Sequence, residues 1–151
     1  MQKLKILNSK EVKEILSILK KQFGFESKLD YVFLMNEKNK IYIANKEVFD
    51  INIDNLNINS IGIYFAFMKN KQIRLSIEGS QIIGPVSKKN IVELHDNEAK
   101  LWMKGFDLFK TTKNKGFVLI KNNNDFLGCG KQIEDKILNY VPKIRRLKVS
   151  D

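Results

Sequence analysis

Two side chains of this sequence have the types that nucleophilic catalysis or metal binding would use, the single cysteine Cys129 and the single histidine His95. A reactive thiol needs a base beside it, but Cys129 lies between two glycines on a predicted strand, with no base nearby in the sequence. We therefore interpret Cys129 as a small buried residue. A structural zinc site built on Cys129 and His95 would also need carboxylate ligands. The sequence predicts neither a catalytic nucleophile nor a metal site.

The glycine motifs that hold nucleotide cofactors are also incomplete. Gly128-Cys129-Gly130 is only G-x-G, without the third glycine and the strand–loop–helix context of a dinucleotide site. The sequence has no G-x-x-x-x-G-K-[ST] phosphate loop. Glu93, Asp96 and Glu98 are carboxylates that could coordinate a cation, but helix capping explains Asp96. We expect no cofactor and no enzymatic activity from this chain.

The most informative chemical property of the sequence is its excess of positive charge. The 151 residues include 27 Lys and Arg against 17 Asp and Glu, which gives a net charge of +10 and a pI of about 9.6. Such an excess favours polyanions, nucleic acid first and an anionic membrane surface second. Two alternatives stay open: lysine-rich surfaces keep proteins soluble, and abundant Ile, Asn and Lys fit AT-rich coding. The excess is +6 in residues 1–90 and +4 in residues 91–151, so charge alone does not locate a site.

The densest basic segment is Lys143-Ile144-Arg145-Arg146-Leu147-Lys148. Its alternation of charged and apolar residues predicts a strand that follows Pro142. Phosphate contacts need long cationic side chains in a row, because neutralised phosphates release counterions. The alternative is an edge strand that its charges protect from aggregation. We favour phosphate contact by four side chains: Lys143, Arg145, Arg146 and Lys148.

Further candidate contacts lie between residues 104 and 131. Lys110, Lys113 and Lys115 form a second basic cluster on a polar loop. Gly105-Phe106-Asp107 follows a predicted helix and offers the backbone groups and the aromatic face that single-stranded RNA binding often uses. For Phe106 by itself, a core position is the favoured interpretation. The predicted RNA-binding residues in this region are Lys104, Gly105, Phe106, Asp107, Lys113, Lys115 and Lys131.

The elements that position these residues begin with a helix. Asn8 and Glu11 form a capping box, apolar residues recur at helical spacing up to Phe23, and Gly24 follows as a C-cap. Strands are predicted at 31–35 and 41–44, and again at 62–68 and 73–77. Between these hairpins, Lys46 to Phe49 indicates a helical turn, and the alternating stretch Ile51–Asn59 is typical of either strand or loop.

A domain boundary is predicted at Gly84-Pro85, which stops a short helix over 78–83. The second part then has a strand at 91–94 and a helix that Asp96 caps and Gly105 ends. Further strands are predicted at 116–120, 126–130, 137–141 and 144–149. Few helices among many short strands suggest a small barrel with closed edges.

Composition excludes several classes of protein. One cysteine cannot form an internal disulfide, which indicates a reducing compartment, and we expect a cytoplasmic location. No apolar run approaches the roughly 18 residues that a membrane span needs. The charged first residues do not fit a signal peptide.

The second part of the sequence resembles a PUA domain, a small pseudo-barrel RNA-binding module of many RNA-modifying and ribosome-assembly proteins. Three segments carry this resemblance: Gly105–Leu108, Gly116–Ile120 and Asp125–Gly130. The last is similar to the family's x-P-L-G-x-G stretch, with Phe126 where proline is common. The resemblance implies that this part grips RNA.

The first part resembles the N-terminal pre-PUA domain of the Nip-seven family of large-ribosomal-subunit biogenesis factors. The similar segments are 32–34 with 41–46, and 61–67 with 73–77. Ala66 departs from this family, which usually has glycine there. The tail over 139–146 resembles instead the end of PUA domains attached to RNA cytosine-5 methylases, although Cys129 lacks the proline that precedes the catalytic cysteine of those enzymes.

Together these observations predict an α+β protein with an N-terminal α/β pre-PUA domain (residues 1–87) and a C-terminal PUA-type β pseudo-barrel (residues 88–151). The expected function is non-catalytic RNA binding in rRNA processing or ribosome biogenesis, with rRNA or tRNA as partner and no membrane. One alternative is an RNA-binding subunit that serves an RNA cytosine-5 methylase or another RNA-modifying enzyme in trans. Another is a protein-interaction adaptor without specific RNA binding. Ribosome-assembly proteins or an RNA-modifying enzyme are the expected protein partners.

Overall fold

The computed structural model describes residues 3–47 and 62–148. It has an α+β architecture with two sheets, the first antiparallel and the second mixed. The predicted α+β class is therefore confirmed. The alternating stretch Ile51–Asn59 lies outside the described residues, and the predicted turn over Lys46–Phe49 lies partly outside them.

The first sheet has five strands in sequence order, each antiparallel to its neighbour. These strands are β1 (Leu4–Ile6), β2 (Val32–Asn36), β3 (Lys40–Ala44), β4 (Ile63–Lys69) and β5 (Gln72–Leu75). Short turns join β2 to β3 and β4 to β5, whereas helix α1 lies between β1 and β2 along the chain. Both predicted hairpins are present.

Helix α1 (Ser9–Phe23) packs its apolar stripe against this sheet. The predicted capping box is confirmed: the Glu11 amide donates to Asn8 Oδ1 at 2.9 Å, and the Asn8 amide donates to Glu11 Oε1 at 3.0 Å. Gly24 ends the helix with a φ of +65°, as the C-cap signal predicts. The Gln22 side chain exchanges two hydrogen bonds with the backbone of Ile73 at 2.7 and 2.8 Å, which fixes the helix to edge strand β5.

Helix α2 (Ile77–Ile83) connects the two halves and continues into a 3₁₀ turn at Gly84–Val86. The Ser76 hydroxyl caps α2 by accepting from the Gly79 amide at 2.9 Å. On the far side, the Gly128 amide donates to the buried Ser80 hydroxyl at 3.0 Å. This helix therefore contacts strands of both sheets.

The second sheet has four strands, β6 (Ile91–Glu93), β7 (Gly116–Asn122), β8 (Asp125–Ile133) and β9 (Lys136–Leu138). Strand β6 is parallel to β7, and the other pairs are antiparallel. Helix α3 (Asp96–Met103) precedes β7 and places Trp102 in the core, fully buried. Asp96 is the first residue of α3, whereas His95 occupies the N-cap position predicted for Asp96.

The apolar core joins the two predicted domains. Leu119, Phe126 and Cys129 of the second sheet belong to the same buried cluster as the α1 stripe and the first sheet. A second buried cluster surrounds Trp102. The boundary after residue 87 stays a prediction, since the Gly84–Val86 turn lies where two sheets already share apolar contacts.

The strand predicted over 137–141 is present only in its first two residues, and the strand predicted over 144–149 is wrong in the part that the structure describes. Strand β9 ends at Leu138, Lys143–Arg145 forms a 3₁₀ turn, and the segment beyond it belongs to no strand up to residue 148. Two local features end the hydrogen-bond ladder of β9. The Asn139 side chain accepts the Val141 amide at 2.7 Å, and Pro142 has no amide to donate.

Candidate nucleic-acid interface

The end of helix α3 and the C-terminal tail (residues 139–148) form one joint. Gly105 follows the C-cap residue Lys104 with a φ of +95°, and a Cβ at this position would lie 2.5 Å from Cδ of Arg146. The Arg146 Nε donates to the Val141 carbonyl at 2.9 Å, and the Leu147 amide donates to the Met103 carbonyl at 2.9 Å. Because glycine has no Cβ, the backbone at Gly105 leaves the space that the Arg146 side chain occupies.

Asn139 ties the turn after α3 to the same joint. Its amide donates to Asp107 Oδ1 at 2.8 Å, and its Nδ2 donates to the carbonyls of Trp102 and Phe106 at 2.8 and 2.9 Å. The Asp107 carboxylate thus holds the backbone of the tail. Three predicted site residues, Gly105, Asp107 and Arg146, meet here.

Phe106 is 45% exposed, so the favoured core interpretation of this residue is wrong. Its carbonyl is held by Asn139, and the buried position near this turn belongs to Leu108, which is 5% exposed. Phe106 is therefore a partly exposed aromatic residue beside the joint.

The basic side chains of the tail do not alternate between two strand faces. Lys143, Arg146 and Lys148 are exposed, and Arg145 forms an ion pair with Glu78 at 2.7 Å. That pair links the tail to helix α2. Ile144, within the 3₁₀ turn, is 92% exposed.

The three lysines of the predicted loop cluster have different surroundings in the structure. Lys113 and Lys115 are exposed before β7, whereas Lys110 forms an ion pair with Glu98 at 3.1 Å and is part of the fold. Burial raises the pKa of Glu98, but the His95 amide and the Lys110 ammonium outweigh it, so the pKa lies below its usual value. The RNA-binding role of Lys113 and Lys115 stays a prediction.

Lys131 lies at one end of a row of cations and aromatic rings in contact with each other. Its Nζ is 5.5 Å from the Phe117 ring centroid, and the Phe117 and Tyr140 rings are 6.3 Å apart. Cζ of Arg74 lies 4.2 Å from the Tyr140 centroid and 5.0 Å from that of Phe67. Contacts of this kind hold flat guanidinium groups and leave ring surface for stacking.

Sequence reasoning missed the part of this row that lies on the first sheet. Arg74 and Phe67 form a cross-strand pair of β4 and β5, and the sequence predicts for both only a place in a hairpin. Nearby, the Lys40 Nζ lies 5.4 Å from the centroid of Tyr64. Burial raises the pKa of the Tyr64 phenol, and the charge of Arg74 opposes the rise, so the hydroxyl keeps its proton at neutral pH. Arg74 is 66 residues from Tyr140 along the chain, and spacing carries no signal for such a pair.

The structure gives no support to chemistry at Cys129. The thiol is 3% exposed, and burial raises its pKa to about 12. In residues 3–47 and 62–148, no group of three or more His, Cys, Asp and Glu side chains is arranged to hold a metal ion. Within the same described ranges, no helix combines the length and the apolar character that crossing a membrane requires.

A four-stranded sheet with one helix and a basic tail folded back on the helix end is a PUA-like arrangement. Residues 89–147 match the family model of the methyltransferase RsmF PUA domain, so the C-terminal part of the chain is PUA-like in sequence as well as in fold. This match confirms the PUA prediction and contains the α3–tail joint up to Leu147. The Nip-seven likeness of the first part stays a prediction.

Two curated relatives carry the name ribosomal RNA small subunit methyltransferase F, from Vibrio vulnificus strains YJ016 and CMCP6. Each is 24% identical to this chain over 88 residues, which is 58% of the chain and 19% of the relative. The chain thus spans about a fifth of the length of these proteins.

Proposed function

We propose that this chain is a non-catalytic RNA-binding protein of rRNA processing or ribosome biogenesis, located in the cytoplasm, that grips RNA through its PUA-like part. The observation that carries the proposal is the match of residues 89–147 to a PUA domain of an rRNA methyltransferase family, over the same residues that build the α3–tail joint. Cys129 offers no thiolate at neutral pH, which supports the non-catalytic part.

The exposed cations of the joint suit phosphate contacts. A guanidinium has five N–H donors, and Arg146 uses the one on Nε to reach Val141. Lys143 and Lys148 flank it on the tail, and the Phe106 ring lies at the other edge of the joint. Cations for phosphates beside an exposed aromatic ring are typical of single-strand binding surfaces.

The proposal is tested by the anisotropy of a short fluorescein-labelled single-stranded rRNA fragment across a salt series. A variant with Lys143→Ala, Arg146→Ala and Lys148→Ala removes three cations from the tail. Because each phosphate contact to a single strand contributes about 0.7 to the slope of log K against log salt, the slope should fall by about 2 and the affinity with it.

The matched control carries Lys10→Ala, Lys13→Ala and Lys21→Ala on the exposed face of α1 and has the same net charge. This variant should keep nearly the wild-type slope. Equal losses in both variants would contradict a tail site, and no saturable binding by the wild type at physiological salt would favour the adaptor alternative.

A second candidate function is supported by the particular family that matches. The chain is similar to the PUA part of a methyltransferase and spans about a fifth of the curated relatives. We propose, as the alternative, that it supplies RNA binding in trans to an RNA cytosine-5 methylase or another RNA-modifying enzyme. Purification of the tagged chain should then retain such an enzyme after nuclease treatment, whereas a role in ribosome assembly predicts co-sedimentation with ribosomal precursors and assembly proteins.

A further inference from the structure

A cavity of about 390 Å³ lies between the first sheet and the tail. Three of its lining residues, Lys40, Tyr64 and Arg74, come from β3, β4 and β5, and Tyr140 and Arg145 come from the tail. We call these five residues the junction cleft. None of them except Arg145 belongs to the predicted RNA-binding set. The volume lies in the range of roughly 300–1,000 Å³ that small-molecule sites occupy.

Two of the residues that line the junction cleft are tyrosines, and the ring of each is in contact with a cation. The Arg74 guanidinium lies 4.2 Å from the Tyr140 centroid, and the Lys40 ammonium lies 5.4 Å from that of Tyr64. Both tyrosines are partly exposed, so their rings are not sealed in the core. Rings and guanidinium planes of this kind stack against flat π systems.

The charge of the junction cleft is positive. Lys40, Arg74 and Arg145 line the cavity, and Glu78, which accepts from Arg145 at 2.7 Å, is the acidic side chain among the lining residues. Three cations against one carboxylate leave an excess of two positive charges. A ligand that fits must combine a flat ring with negative charge.

We propose that the junction cleft binds one unpaired nucleotide, with its base stacked in the cavity on Tyr140 and Arg74 and its phosphate at Lys40 and Arg145. The inference rests partly on the proposed function, because an RNA strand held by the tail is one source of such a nucleotide, and a free nucleotide is the other. Arg145 then closes the cleft from the tail through its ion pair with Glu78. A base in the cleft would place the adjoining strand beside the tail cations.

The first experiment needs no variant. The nitrogen-15-labelled chain is titrated separately with adenosine 5′-monophosphate, uridine 5′-monophosphate, a short single-stranded RNA and a blunt RNA duplex. We expect the single-stranded RNA to shift the backbone amides of the junction cleft and the duplex to leave them unchanged, since a paired base cannot enter the cavity. Shifts with the monophosphates alone would assign the cleft to free nucleotides. Unchanged cleft amides in all four titrations would overturn the proposal.

The second experiment removes the stacking partners. Tyr140→Leu and Arg74→Met should each weaken single-stranded RNA binding by about 5- to 150-fold, the range that one base–aromatic stack contributes. Phe109→Leu, at an 84% exposed ring outside the cleft, and Lys69→Met, an exposed charge on β4, are the matched controls and should bind as the wild type does.

The two proposals fail differently. Wild-type affinity in Tyr140→Leu and Arg74→Met, with the tail variant still impaired, would refute the cleft and leave the proposed function standing. Binding of monophosphates at the cleft by a chain that binds no RNA would refute the proposed function and leave the cleft standing. Far-UV circular dichroism of each variant establishes that it is folded.

Discussion

The side chain of Arg146 packs against Gly105, where a Cβ would overlap it. This contact joins two segments that are about forty residues apart in the sequence. The φ of +95° at Gly105 ends α3, and the missing Cβ leaves room for the arginine side chain. Backbone freedom and side-chain space are thus needed at the same residue. The sequence signal, a glycine after a helix, predicts only the first of them.

We expect Gly105→Ala to cost about 1–2 kcal/mol of folding free energy from the left-handed backbone and to lower RNA affinity by displacing Arg146. Gly116→Ala is the matched control, because Gly116 has a φ of +78° and open space around its Cβ position. Urea denaturation should give similar losses for both variants, and RNA anisotropy should separate them. Equal RNA affinity of the two variants would show that RNA binding does not depend on the contact between Arg146 and Gly105.

Cys129 should be inert in the folded chain. With a pKa of about 12 instead of the ordinary 9.0, its thiolate fraction at pH 8 is lower by about a thousand-fold. We expect Ellman's reagent to label the native protein extremely slowly and the urea-unfolded protein at the ordinary rate. Since the pKa is raised, labelling should increase with pH far beyond 9; fast labelling at pH 8 without denaturant would contradict the buried position.

At the scale of elements, helix α2 holds the two sheets together. Gly79 on one face lies so close to β4 that a Cβ would overlap the Phe65 carbonyl oxygen. Ser80 accepts the Gly128 amide of β8 at 3.0 Å. The helix is short, and its position depends on these two close approaches rather than on its own propensity.

Gly79→Ala should therefore destabilise the chain by about 1–3 kcal/mol, although alanine is the better helix former by about 1 kcal/mol. The clash is with backbone, which cannot rotate away. Gln81→Ala, at an exposed position of the same helix, should leave stability within about 0.5 kcal/mol of the wild type. Thermal and urea unfolding of both variants measure this difference, and a stabilised Gly79→Ala variant would contradict the packing.

At the scale of the whole molecule, the buried cluster that contains Leu119 and Phe126 of the second sheet also contains the α1 stripe. A shared core makes separate unfolding of the two halves costly, since either half alone would expose apolar surface. We therefore expect the two predicted domains to unfold together.

We expect one cooperative transition. Trp102, the single tryptophan, reports on the second sheet by fluorescence, and far-UV circular dichroism reports on both sheets together. Urea curves from the two probes should coincide, and Leu119→Ala should shift both by the same amount, with a loss of about 2–5 kcal/mol. Leu101→Ala, at a 45% exposed position, is the control; separated transitions would restore the view of two independent domains.

The sequence by itself determined the local elements. Asn8 with Glu11 predicts the start of α1, and residues of the hairpin turns, Asn70 and Asn123 among them, adopt the left-handed conformation that asparagine tolerates. The segments that resemble a PUA domain also lie within the matched range. Such signals work because capping and turn geometry depend on residues a few positions apart.

Only the tertiary structure decided what the tail and the first sheet do together. The tail leaves its predicted strand because Asn139 and Pro142 interrupt the ladder, and Arg145 turns to Glu78 on another element. Arg74 meets Tyr140 across the junction, where neither residue carries a local sign of the other. Contacts between distant segments depend on how whole elements pack, and periodicity along the chain does not encode that packing.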